Sequence, residues 1–169
     1  MMMKSFKFTS IAIRITLFKS YVLPMLQFAS PVWNMQKCID VNLLEKFLRC
    51  TSKSFLKCPY LVDYLERLQC CNMLSLAVQR HINDLCLVYK LLYDQSGILT
   101  LKKMNMDHSK STYHNIHLLE KYSRTNRHRD TFTNHTIAWW NALPDYIQNS
   151  LTLSIFKRNL ISFYNDNPI

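Results

Sequence analysis

The chain has 169 residues, 49% of them hydrophobic, and carries 21 Lys and Arg against 11 Asp and Glu for a net charge of +10. That length and apolar content suffice for a packed interior and exclude global disorder, while a single glycine, Gly97, leaves too few positive-φ positions for a hairpin-rich sheet or a phosphate-cradling loop. Helices are therefore expected, and the charge asks for a polyanionic partner, nucleic acid or an acidic membrane, between which composition does not choose.

The opening MMMKSFKFTS has the arbitrary look of a methionine internal to a longer reading frame. Residues 10–28 read as a first helix with Ile11, Ile15, Phe18, Val22 and Met25 on one broad face. Pro24 would kink that helix or end it early, and Ser30-Pro31 closes the segment. A second helix is expected over 41–57. Its apolar side carries Leu44, Phe47, Leu48, Thr51 and Phe55; its outer side carries Glu45, Lys46, Arg49, Lys53 and Lys57. Asp40 is its candidate cap and Pro59 its stop.

A short helical turn fits 63–70. The clearest helix spans 75–93, with Val78, Ile82, Leu85, Cys86, Tyr89 and Leu92 in one stripe and Asn72 or Ser75 as cap. Gly97 follows where a helix exit favours a glycine. From 100 to 130 basic residues accumulate and apolar ones thin out, as expected of a connector with short strands near 114–119 and 127–132. Two last helices are expected, over 132–143 and 152–164. The second should point Leu153, Phe156, Leu160 and Phe163 inward and Lys157 and Arg158 outward. The fold class is thus mainly α, in three parts: a helical bundle over 1–99, a basic connector over 100–130, and a small helical lobe over 131–169.

Catalytic chemistry finds little support. The pair His114-x-x-His117 lacks the further ligands a zinc site needs. Cys86 lies five residues from His81, on another helical face and within the apolar stripe, so packing explains it better than nucleophilic chemistry. Asp63, Glu66, Asp84, Asp94 and Asp107 are too scattered to cluster around a divalent metal. The six cysteines (Cys38, Cys50, Cys58, Cys70, Cys71, Cys86) show no CxxC spacing and read as free, mostly buried thiols of a reducing compartment. No membrane span is expected, since Arg14, Lys19 and Pro24 interrupt the most apolar stretch. No cofactor or metal is called for.

What remains is the basic connector. Lys102, Lys103, Lys121, Arg124, Arg127 and Arg129 suit phosphate contacts, or form a solvated charge run with no dedicated partner. In the tryptophan pair beyond it, Trp140 lines up with Ile137 and Leu143 and should be core. Trp139, about 100° away on a helix, is expected to be partly exposed.

Four blocks of the chain resemble, in order, the region following the palm in non-LTR (LINE-type, jockey-like) retrotransposon reverse transcriptases. LFKSYVLPMLQFASPVWN is similar to the family's Y-x-x-P-x-L-x-Y-A-S-x-x-W, and LLEKFLRCTSKSF to its L-E-K-x-Q-R-R-x-T-K. DYLERLQCCNMLSLAVQRHINDLCLVYKLL resembles Y-x-x-R-L-x-x-L-x-L-x-S-L-x-x-R-R-x-x-x-D-L-x-x-x-Y-K-I. The closing RTNRHRDTFTNHTIAWWNALPDYIQNSLTLSIFKRNLISFY looks like a tail containing W-N-x-L-P and F-K, with His135 where the family usually has arginine.

The resemblance implies the thumb and C-terminal region of an RNA-directed DNA polymerase, a part that grips template and primer by their backbones. The family's Y/F-x-D-D metal-binding motif does not occur in this sequence, so the chain by itself is expected not to be an enzyme. Its expected partners are RNA or an RNA–DNA hybrid, and the missing palm or a second copy through an exposed apolar face. The alternatives are a protein–protein interaction module or a non-functional relic of a mobile element.

Overall fold

The computed structural model describes residues 10–28, 38–56, 63–93, 108–110, 116–119 and 131–167. The described part is mainly α-helical. By contacts the chain divides into two units, one of Met1–Ser30 with Met35–Gln79, the other of Pro31–Asn34 with Arg80–Ile169. The sequence pattern places its first boundary at residue 99 instead.

In the first unit, helix α1 (Ile11–Leu17) opens at Ser10, whose hydroxyl accepts from the Ile13 N–H. It passes through a π-helical turn (Phe18–Val22) into α2 (Leu23–Gln27). The wide turn answers Pro24, which has no N–H and whose ring would strike the carbonyl four residues back in a regular helix. The Leu23 N–H reaches back five residues to the Phe18 carbonyl, and the chain continues through Pro24 as helix. Phe18 is buried, but Ile11 and Met25, expected on the same inward face, are exposed.

Helix α3 (Cys38–Leu56) starts earlier than the sequence pattern suggests, so Asp40 lies inside it rather than at its cap. Leu48 and Phe55 are buried, Phe18 packs edge-on against Phe55, and Phe47 stays exposed. Asp63 caps α4 (Tyr64–Cys70) by accepting from the Leu65 N–H. That helix ends in a tight closure in which Met73 N–H bonds the Leu68 carbonyl and Asn72 N–H the Gln69 carbonyl. The closure requires a left-handed residue, and Asn72 supplies it at φ 49°. Asn72 therefore finishes α4, and Ser75 caps the next helix through the Val78 N–H. Leu68 and Met73 join Phe18, Leu48, Phe55, Cys71 and Leu76 in the core of this unit.

Helix α5 (Leu76–Tyr93) buries Val78, Ile82, Leu85, Val88, Tyr89 and Leu91, with Cys86 and Leu92 half-buried. In the second unit, strand β2 (Ile116–Leu118) falls within the expected 114–119. Its antiparallel partner is β1 (His108–Lys110), paired His108 to Leu118. Of the other expected strand, 127–130 lie outside the described residues and Phe132 begins helix α6 (Phe132–Asn141). A one-turn helix that the sequence pattern does not separate, α7 (Asp145–Gln148), precedes α8 (Leu153–Asp166), which Thr152 caps.

Trp140 is buried, packs on Phe156 and donates its indole N–H to the Ile116 carbonyl at 2.9 Å. Tyr89 stacks on Phe156 and donates its hydroxyl to the Ser150 carbonyl. Helix α8 buries Phe156, Leu160 and Tyr164, so its inward stripe ends at Tyr164, with Leu153 and Phe163 half-buried.

Candidate nucleic-acid interface

The connector residues Lys102, Lys103, Lys121, Arg124, Arg127 and Arg129 lie outside the described residues. Among the described ones, the exposed cations are Lys46, Arg49 and Lys53 on α3, Lys90 on α5, and Lys157 and Arg158 on α8. Those on α3 are three and four residues apart, the spacing that brings side chains onto one face of a helix. Cys50, also exposed, lies among them.

Arg49 has a particular support. Its guanidinium lies over the Tyr64 ring, 5.0 Å from the centroid, while Arg67, buried, lies 5.8 Å from the same ring. Tyr64 is itself anchored through its hydroxyl, which donates to the Glu45 carboxylate. The other Glu45 oxygen accepts from the Leu76 N–H at 3.2 Å, at the start of α5. Burial, reinforced by the bond to Glu45, holds the Tyr64 phenol far above its ordinary pKa, against the nearby Arg49 and Arg67 charges.

Glu45 thus corrects the expectation from periodicity, which sets it on the outer face of α3: it is only 7% exposed. A helix N-terminus has unsatisfied N–H groups and a positive dipole end, both of which a carboxylate satisfies. No periodicity in α3 could have revealed this partner, because it comes from α5.

The second unit gathers side chains that the sequence pattern keeps apart. The Trp139 ring stacks on His81 at 3.6 Å between centroids, and His135 lies on it at 4.5 Å. His135 Nε2 is 3.4 Å from an oxygen of Asp84, which is fully buried. Burial, with the His135 and Arg80 charges, lowers the His81 pKa from 6.5 to about 4, so this imidazole is neutral near pH 7. The spacing carried a signal: His81 and Asp84 are three apart on α5, and His135 and Trp139 four apart on α6, so each pair shares a helix face.

This cluster has the makings of an interhelical lock rather than of a nucleophilic centre. The Cys86 thiol is pushed up by burial, against the lowering effect of Lys157 and Lys90. His117, of the His-x-x-His pair set aside as a zinc site, is exposed on β2, and His114 lies outside the described residues. Among the described residues no three His, Cys, Asp or Glu side chains come together as a metal site, and no helix is long and apolar enough to cross a membrane. Cys50, Cys70, Cys71 and Cys86 are free, but Cys50 and Cys70 are exposed, so these four are less buried than expected.

No protein-family model matches the chain, and neither a curated protein nor a solved structure matches it.

Proposed function

We propose that this chain is the thumb and post-thumb portion of a retrotransposon RNA-directed DNA polymerase. In this reading it holds RNA or an RNA–DNA hybrid by the phosphates, without reading sequence and without catalysing a reaction on its own. The observation that carries the reading is the meeting of motif residues from separate blocks of the resemblance. Glu45, from the L-E-K block, accepts the hydroxyl of Tyr64, from the Y-x-x-R-L block. In the same way Asp84, of the D-L pair, faces His135 at the position of the tail's arginine. A net charge of +10 supplies the affinity expected for a backbone binder.

The test is the salt dependence of binding to a single-stranded RNA. Replacing Arg124, Arg127 and Arg129 with alanine should weaken binding and flatten the plot of log K against log salt by roughly 0.7 for each phosphate no longer neutralised. An unchanged slope would overturn the connector assignment, and no salt-sensitive binding by the unaltered chain would overturn the reading itself.

A second reading, an interaction module that pairs with another copy of the chain, is favoured by the apolar exposure of the first helical segment. Tyr21 is 60% exposed, and Met25 and Phe28 are 78% exposed. Side chains of that size at four- and three-residue steps form a patch of the kind that marks contact surfaces. Sedimentation across a concentration series distinguishes the two, since this module self-associates and ignores RNA. The relic alternative predicts that no peptide of the chain is detected in cells.

A further inference from the structure

We infer that the exposed face of α3 is a phosphate-tracking surface in its own right, with Arg49 as its pre-oriented central contact and Tyr64 as the residue that positions it. The inference rests on the polyanion-binding reading above and adds a second, independent surface to the connector.

The spacing comes first. An α-helix rises about 1.5 Å per residue, so Lys46 to Lys53 spans roughly 10 Å of its axis. A nucleic-acid duplex presents a phosphate about every 3.4 Å of axis on each strand. Three cations spread over roughly 10 Å therefore cover a length comparable to about three phosphate rises, enough to follow a stretch of one strand's backbone. The row also lies on a firm base, because the opposite face of α3 is committed to the core through Leu48 and Phe55.

Preorganisation comes second. A free arginine loses side-chain freedom when it grips a phosphate. Arg49 has surrendered part of that freedom already, since its guanidinium rests on a ring fixed by Glu45, which is fixed in turn by the start of α5. A guanidinium packed over a ring keeps N–H groups for bidentate contact with phosphate oxygens. Lysines at Lys46 and Lys53 add point charges along the strand. The same commitment of the apolar face argues against a membrane, because a surface-lying amphipathic helix must insert that face among lipids.

The test uses the full chain and a fluorescent oligo(U). The variant K46A/R49A/K53A should lower the salt slope by about two, which makes binding about 100-fold weaker at 0.1 M salt if the two proteins bind equally at 1 M. Arg49→Lys should keep the slope but bind more weakly, since it keeps the charge and loses the planar, bidentate guanidinium. Tyr64→Leu removes the ring but leaves the Arg49 charge, so it should keep the slope and weaken binding as Arg49→Lys does, whereas Tyr64→Phe, which keeps the ring and loses only its bond to Glu45, should weaken binding less. Bound oligo(U) should also slow alkylation of Cys50 relative to Cys70, which is exposed as well.

If the unaltered chain binds oligo(U) and the triple variant binds identically, with Cys50 unprotected, the α3 inference fails and the general reading survives. If the unaltered chain shows no salt-dependent binding, both fail. Loss of binding to phosphatidylserine vesicles with oligo(U) binding unchanged would reassign the face to a membrane and overturn the inference.

Discussion

The side chain of Asn141 clasps the backbone of Leu118. Its Oδ1 accepts from the Leu118 N–H at 3.0 Å and its Nδ2 donates to the Leu118 carbonyl at 2.9 Å, so one amide mimics a neighbouring strand along the edge of β2. Trp140, the preceding residue, reaches the Ile116 carbonyl two residues along the same strand. The Trp-Asn pair is therefore a device for fastening a two-stranded sheet onto a helix.

Asn141→Ala leaves both Leu118 backbone groups without these bonds, and Leu118 is buried. Stranding buried polar groups costs about 1–3 kcal/mol each, so a total loss of about 2–6 kcal/mol is expected in urea unfolding. A loss under about 0.5 kcal/mol, the size of an ordinary surface substitution, would refute this role.

Asn72 holds a left-handed conformation at φ 49°. Glycine adopts it without steric cost, so Asn72→Gly should be neutral or stabilise by up to about 1 kcal/mol, whereas Asn72→Val should destabilise by about 1–2 kcal/mol. The Lys19 ammonium bonds only the carbonyl of this residue, so both variants keep that contact. Equal midpoints for the two would count against the closure described here.

Removing Glu45 should be costlier than its place on a mostly polar helix face suggests. Glu45→Ala removes the acceptor of the Tyr64 hydroxyl and of this Leu76 N–H bond together, for an expected loss of about 3 kcal/mol. Glu45→Gln keeps an acceptor and should recover part of it. Thermal melts of the two variants side by side test this, and equal melts would argue that the carboxylate is incidental.

The second unit should weaken in acid. His81 titrates near 4 when folded and near 6.5 when free, so the folded state refuses a proton that the unfolded chain accepts. The stability this neutral imidazole contributes is complete above about pH 6.5 and is lost as pH falls toward 4, by about 3 kcal/mol in full. Arg80 and His135 act on its charge, and Trp139 and Tyr164 lie against its ring. Urea midpoints followed by tryptophan fluorescence between pH 7 and 4 should fall for the unaltered chain and fall less for His81→Phe. Parallel pH profiles would exclude His81 as the source.

Periodicity alone carried the helical content, because an amphipathic stripe records which residues of a helix share a face. Ser75 was readable as a helix cap for a similar reason: a cap is a local bond between a side chain and an N–H two or three residues on. Trp140, in step with Ile137 and Leu143, was readable as core.

The features that the sequence did not determine lie at the edges of those stripes and in partners far along the chain. Met25 sits in phase with Phe18 but is exposed, because the π-helical turn ahead of Pro24 inserts an extra residue and rotates α2 about its axis. Glu45 reads as outer-face charge until Tyr64 and Leu76 arrive to satisfy it. Asp84 and His135, and likewise Asn141 and Leu118, become pairs only when distant segments meet. Local spacing fixes where a side chain points on its own helix; tertiary packing decides which polar groups find the partners that allow them to be buried.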